Sequence, residues 1–474
     1  GRDRSAQRRS GGGMVSTPSG ARAVARCDAL GVAPFSDMAG GLFRAWLTPA
    51  FAATQRQVAD WMAEAGMAVH FDAATNVIGR YEGTTPGAPA LLIGSHLDSV
   101  RDAGRYDGPL GVMLGIELVA SLAATGTRLP CAIEVIGFGD EEGSRFPAAM
   151  LTSRAVAGTL DIAALDGADV NGVSVTEALA AYTSLFPGEG RGPVTGGSQL
   201  GQRGVEHAPH AQGSSGGRSD PALLRRGTEE NDAANFPTAR RTPTDVLAYL
   251  EAHIEQGPAL EAGGLPLGVV TGIAGQIRYH IAVTGTAGHA GTTSMTLRRD
   301  ALTAAAAMVL EVERIARDAA SDLVATVGRL TVAPGAVNVI PGRANFTLDV
   351  RSGDDAVCAA AAEDILDALM TIADARGVEI AIQRTHALPA SPCDPKLMDL
   401  LDRSVQEQGL AVRRLVSGAG HDAMVMAALC PTAMLFIRCA GGVSHNPAEA
   451  VDPVDVEAAL QAMIGFAHRL GDTV

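Results

Sequence analysis

No run in this 474-residue chain approaches the ~18 consecutive apolar residues of a membrane-spanning helix, so no membrane partner is expected. Positive charge does not dominate. Lys and Arg number 37 against 52 Asp and Glu, a net charge of −15, and no basic stripe of the kind nucleic-acid binders carry is visible. Cysteine is scarce. The six (Cys27, Cys131, Cys358, Cys393, Cys430 and Cys439) form no CxxC pair, so a disulfide framework is excluded and buried reduced thiols in a cytoplasmic protein are expected. Residues 1–13 are rich in Arg, Ser and Gly and lack the apolar core of a signal peptide, and residues 1–20 read as a disordered arm. What is present is 47% apolar and 19% charged residues, the balance of a globular enzyme with a large core and two or three domains.

Residues 49–66 carry Phe51, Val58, Trp61, Met62 and Ala65 on one helical face, with Gly66 placed to stop the helix. Residues 90–93 and 131–138 read as buried strands, and residues 111–124 between them as a helix. Strands alternating with helices predict a largely parallel α/β sheet covered on both faces. Residues 187–241 are Gly/Ser/Arg-rich without periodicity and read as a low-complexity insertion whose His207 and His210 are solvated. From 279 onward the texture changes: strand 279–284, helix 300–316, strand 323–332, strand 345–350, helix 354–375 and strand 378–384. That is the ferredoxin-like split order. It predicts an α+β domain at 276–384 inserted into a catalytic domain formed by 21–275 and 385–474, with a strand at 433–437 leading to His445.

The chemistry sits in short segments: His96-Leu97-Asp98, Tyr106-Asp107-Gly108, Glu141-Glu142, His253, His289 and Ser444-His445-Asn446. His96 and the Glu141-Glu142 pair each follow a predicted strand, and in open α/β sheets the working crevice lies at the carboxyl ends of the strands. Adjacent carboxylates repel unless a cation lies between or beside them. A metal at Glu142 relieves that repulsion and leaves Glu141 as a general base, with Arg145 and Arg154 available to neutralise the remainder. Asp98 is close enough to orient the His96 ring. Asp107 reads as a helix N-cap, as a carboxylate bridging two metals, or as both. The ligands then divide into His96, Asp107 and His253 on one side and Asp107, Glu142 and His445 on the other, each leaving an open position as a catalytic site requires. Nitrogen and oxygen donors of this kind suit Zn²⁺, Mn²⁺ or Co²⁺. Arg351, at a strand end, has the fork that clamps a carboxylate.

Taken together, His-Leu-Asp-Ser-Val, Tyr-Asp-Gly, Glu-Glu-Gly-x-Arg-Phe, His-Ile-Glu-Gln-Gly-Pro, Gly-His-Ala-Gly-Thr-Thr, Asn-Val-Ile-Pro and Ser-His-Asn resemble the zinc-dependent amidohydrolases that cleave ureido compounds. That family contains allantoate amidohydrolase, N-carbamoyl-L-amino-acid hydrolase and β-ureidopropionase, within the aminoacylase- and carboxypeptidase-type di-metal hydrolases. The resemblance implies a di-metal catalytic domain with an inserted lid. It implies two divalent metal ions, the ligand set above and Glu141 as base. It further implies that Gln256, His289, Asn338 and Arg351 contact a small ureido carboxylate. It also implies a homodimer in which the small domain forms the interface and His289 serves the neighbouring subunit's site. Allantoate is the first substrate expected, N-carbamoyl amino acids the second. A dipeptidase and a non-catalytic metal-binding scaffold are the readings from other classes.

Overall fold

A computed structural model describes residues 17–185, 235–319 and 321–473. The expected N-terminal arm and low-complexity insertion therefore fall outside the described residues, apart from their inner margins, and both margins are ordered parts of the fold. Ser19 caps a helix at Gly20–Leu30, its side chain accepting the Arg22 N–H. Phe236 is fully buried and packs edge-on to Trp46, with ring centroids 6.0 Å apart. The core thus resumes before residue 241. An apolar side chain of that size outweighs the polar composition around it.

The strands are, in chain order, β1 (Ala68–Phe71), β2 (Val77–Tyr81), β3 (Ala90–His96), β4 (Ala132–Phe138), β5 (Val246–Ile254), β6 (Leu267–Ile273), β7 (Gly275–Thr284), β8 (Gly288–His289), β9 (Val324–Thr326), β10 (Leu330–Ala333), β11 (Val339–Ile340), β12 (Arg343–Ser352), β13 (Glu379–Leu388), β14 (Ser391–Pro392), β15 (Arg414–Ser417) and β16 (Thr432–Ile437). A nine-stranded sheet runs β1-β2-β4-β3-β5-β16-β6-β14, with β15 beside β6. Its centre, β4-β3-β5-β16, is parallel throughout. β1 and β2 on one margin and the β16–β6 and β6–β14 pairs on the other are antiparallel. Every residue of β3, β4 and β16 is buried, which is why these strands read as unbroken apolar runs rather than alternating ones. The registers pair His96 with Phe138 and His253 with Phe436, so the carboxyl ends of the four central strands lie along one edge.

The Gly20–Leu30 helix is held by charge as much as by apolar packing. Glu117, fully buried in the helix Pro109–Ala124, accepts from Arg22 Nε at 2.8 Å, Arg26 Nη1 at 2.8 Å and the Ser19 N–H at 3.0 Å.

The second sheet, β10-β12-β7-β13 with β9 also on β12, is antiparallel and carries the helices Ala301–Asp318 and Asp355–Arg376. Strand, helix, strands, helix, strand in this spatial order is the ferredoxin-like arrangement. β12 alternates strictly, turning Ala344, Phe346, Leu348 and Val350 inward onto Ile281, Met308 and Ile365, an apolar cluster separate from that of the large sheet. The single strand expected at 323–332 is two, β9 and β10, parted around Gly328 and both paired with β12. β13 runs to Leu388, beyond the boundary expected at 384. All six cysteines are free and buried. No helix among the described residues is long and apolar enough to cross a membrane.

Candidate metal centre

His96 closes β3 and His253 is the penultimate residue of β5, so two rigid strands bring their rings to centroids 5.8 Å apart. Each ring is fixed through Nδ1, which lies 3.1 Å from the Asp98 carbonyl in His96 and 2.9 Å from the Ile254 carbonyl in His253. A ring that donates from Nδ1 keeps the lone pair on Nε2. Both Nε2 atoms converge on one oxygen of Asp107: Oδ1 is 3.5 Å from His96 and 3.1 Å from His253. The other oxygen, Oδ2, lies 3.3 Å from His445 Nε2, which is itself 3.5 Å from Glu142 Oε2. The Asp107 carboxylate is therefore shared between two trios, one per oxygen.

The donor set fits divalent ions. Ligands bound at ~2.0–2.1 Å in tetrahedral geometry sit about 3.3–3.4 Å apart. The observed separations of 3.1, 3.3, 3.5 and 3.5 Å bracket that value. His253 Nε2 is buried without a hydrogen-bond partner, as a nitrogen awaiting a cation would be. His96, Glu141 and Glu142 form a further possible grouping, as do Glu251, His253 and His421.

Burial above all drives the Glu141 carboxyl well above its ordinary range; His96 opposes the shift and Glu142 adds to it. Glu142 is pushed up to about 7, chiefly by burial. Burial also works to raise Asp107, but the close His253, His445 and His96 side chains overcome it and hold the group well below its usual value. Asp107 is the main reason that His445 is raised to about 9. Protons and metal ions compete for the same lone pairs, so a field that favours cationic histidines here also favours a bound cation.

The surroundings correct several expectations. Asp98 does not reach the His96 ring with its carboxylate, which stays 3.7 Å from Nδ1; its backbone carbonyl does that work. The carboxylate instead accepts the N–H groups of Glu141 and Glu142, both at 3.2 Å, and so shapes the turn that presents the pair. Asp107 is not an N-cap. That position is Gly108, with no side-chain cap, because the Asp107 oxygens are engaged by the site: Ser444 Oγ donates to Oδ2 at 2.5 Å and Gln256 Nε2 at 2.8 Å. Gly108 has φ +84°, and a Cβ there would lie 2.5 Å from the His96 ring, so only glycine lets the turn come this close. Arg145 and Arg154 do not neutralise the Glu pair. Arg145 binds Asp169 and the Trp46 and Leu47 carbonyls, and Arg154 binds the Ala149 carbonyl. Asp140, Gln256 and His445 all hold left-handed backbone, with φ of 63°, 56° and 54°, a strain that clusters at functional sites.

Sequence reading missed the layer behind these ligands. The His421 ring packs 4.4 Å from that of His253 and shares a 2.8 Å hydrogen bond with Ser417. Buried Glu251 accepts from Ser95, Tyr249 and the Ala423 N–H. Glu449 accepts the N–H groups of Tyr106 and Asp107. The available signal for His421 was its place after a short strand, the same context that marks His96.

The remaining expected residues lie on the second sheet and its ribbon. His289 is exposed on β8, and the Asn338 carbonyl accepts the N–H of neighbouring Ala290. Arg351 grips Asp349 through Nε at 2.8 Å and Nη2 at 3.0 Å and donates to the Gly418 carbonyl at 2.6 Å, which leaves two of its five N–H groups unused. None of the three is hydrogen-bonded to or ion-paired with the trios among the described residues.

A parallel-centred α/β sheet with grouped His, Asp and Glu side chains at its carboxyl edge is the architecture of dinuclear metallopeptidases. The chain matches Peptidase family M20/M25/M40 over residues 92–469 and belongs to that family. It is 38% identical over 461 residues to the probable allantoate deiminase of Oryza sativa subsp. japonica, covering 91% of this chain and 85% of that one. It is 40% identical over 410 residues to the N-carbamoyl-L-amino acid amidohydrolase of Geobacillus stearothermophilus, covering 86% of this chain and 88% of that one. Among solved structures, an amidase of the hydantoinase/carbamoylase family from Burkholderia multivorans superposes with a TM-score of 0.79 at 33% identity, covering 96% of this chain and 98% of that one.

Proposed function

We propose that the chain is a metal-dependent amidohydrolase that cleaves the carbamoyl C–N bond of a small ureido carboxylate, allantoate first. The observation that carries this reading is the division of the Asp107 carboxylate, Oδ1 toward His96 and His253 and Oδ2 toward His445 and Glu142. Two divalent ions, Zn²⁺, Mn²⁺ or Co²⁺, would be held by His96, Asp107 and His253 and by Asp107, Glu142 and His445. When bound, such ions polarise a carbonyl and lower the pKa of water toward ~7. Glu141 takes the proton from the attacking water and returns it to the leaving nitrogen. Burial raises the Glu141 carboxyl, and a carboxylate raised in this way is the stronger proton acceptor once ionised. Gln256 accepts from a ureido N–H, a role supported by its amide N–H on Asp107 and its buried Oε1 without a partner. Arg351 offers its two unused N–H groups to the substrate carboxylate, and Asn338 assists. His289 donates to the developing oxyanion. Its exposure on β8 fits a role in which the domain at 276–384 acts as lid and dimer interface and carries His289 to the neighbouring subunit's site.

The N-carbamoyl-L-amino-acid reading stands second because the Geobacillus relative of that name is as similar as the plant deiminase. Allantoate carries a second ureido arm where a carbamoyl amino acid carries a side chain. A pocket built to hydrogen-bond that arm rejects an apolar replacement strongly. Ammonia release from allantoate, N-carbamoyl-L-methionine and N-carbamoyl-β-alanine, compared as kcat/KM on Mn²⁺-loaded protein, tests the choice. A tenfold preference for the methionine derivative would move the assignment to the carbamoylases.

A further inference from the structure

We infer that Glu449 is a positioning residue that sets the separation of Asp107 and His445 and so builds the trio of Asp107, Glu142 and His445. This inference rests on the two-metal reading above. Glu449 lies 342 residues from Asp107 in sequence, yet its Oε1 accepts the N–H of Tyr106 at 2.7 Å and of Asp107 at 3.2 Å. The carboxylate is buried and pressed against the turn: a Cβ on Gly104 would lie 2.1 Å from Glu449 Cδ, so that turn is shaped to receive it. On its own side, Glu449 is four residues past His445, in a loop braced by its N–H to the Asn446 carbonyl and by Ala448 N–H to Asn446 Oδ1. One side chain thereby fastens the loop carrying His445 to the turn carrying Asp107.

The two trios depend on this fastening unequally. His96 and His253 stand on central strands whose registers hold them without help. His445 stands on a loop, in left-handed backbone, and is half exposed. Loss of Glu449 leaves the Ser444 Oγ bond to Asp107 Oδ2 to hold the His445 loop to the Asp107 side chain, with the backbone N–H groups of Tyr106 and Asp107 released, and the trio that needs both segments loses more.

The test is metal titration of the full chain with Mn²⁺ against a competing chelator, on wild type, Glu449→Ala, Glu449→Asp and Glu449→Gln. Wild type is expected to take up two ions per chain. Glu449→Ala and Glu449→Asp, which remove or withdraw the acceptor, should keep one ion near wild-type affinity and bind the other at least ~10-fold more weakly, the lower end for lost support around a metal ligand. Glu449→Gln keeps an acceptor oxygen and should restore the second ion. A purely structural role would lower thermal stability in chelator without separating the two ions. If Glu449→Ala does not fold, Glu449→Asp decides alone. Two ions bound normally by the folded Ala or Asp variant, equal weakening of both, or no rescue by Gln would overturn the positioning role. A wild-type chain that binds no ion would overturn the two-site reading, and this inference with it.

Discussion

The adjacent carboxylates Glu141 and Glu142 should respond to the same substitution in opposite ways. Glu142 Oε2 is 3.5 Å from His445 Nε2 and belongs to the trio on Asp107 Oδ2. The Glu141 approach to a ligand histidine is longer, 3.9 Å to His96 Nε2. Glu141→Gln keeps the shape and removes the proton acceptor. Metal content should stay at two ions, while kcat falls by at least ~10²-fold, or about 2.7 kcal/mol of barrier, the usual scale for a general base. Glu142→Gln replaces one of three proposed ligands by a neutral amide. One ion should then bind at least ~10²-fold more weakly, since even indirect support for a ligand costs 10–100-fold. The assay is elemental metal analysis after dialysis, alongside kcat at saturating metal. The grouping of His96, Glu141 and Glu142 supplies the competing outcome. If Glu141→Gln sheds an ion while Glu142→Gln keeps both, the base and the ligand have been interchanged and the reasoning fails.

Glu117→Ala removes the buried carboxylate that Arg22 and Arg26 share, their side chains only 16% and 11% exposed, and should cost about 3–5 kcal/mol in denaturant unfolding; a loss under about 1 kcal/mol would show the cluster to be no stronger than a surface pair. Phe236→Ala should cost about 3–5 kcal/mol through the cavity left against Trp46. Wild-type stability in that variant would mean residues 235–241 belong with the insertion after all. Mixing His289→Ala with Glu141→Gln should restore part of the activity through hybrid dimers, since one site of each hybrid would keep both groups. No recovery in verified heterodimers would mean that His289 acts within its own subunit or not at all.

The central strands were legible because burial on both faces leaves an unbroken apolar signature, and residues 90–93 and 131–138 carried it. The five ligand candidates were legible only as a set, since each His or carboxylate taken alone reads as well as a structural residue or a helix cap, and the structure groups them around Asp107. The helix Gly20–Leu30 was not, because much of what holds it is the contact of Arg22 and Arg26 with a residue almost a hundred positions away. Long-range partners explain the other misses too. Glu449 reads as an ordinary acidic residue until the fold sets it against Tyr106 and Asp107. For Asp98, two residues of spacing cannot show whether its carboxylate or its carbonyl reaches the His96 ring. The break between β9 and β10 left no mark in the apolar pattern beyond a lone glycine, Gly328.

The central claim, that paired metal trios hydrolyse a ureido carboxylate, is tested most directly by one titration. Chelator-stripped protein is reloaded with Mn²⁺ while bound metal and ammonia release from allantoate are followed on the same samples. The account predicts no activity without metal, saturation at two ions per chain, and turnover that appears as the second ion binds. Full activity in verified metal-free protein, or saturation with two ions and no release from allantoate or from any N-carbamoyl amino acid, would contradict it.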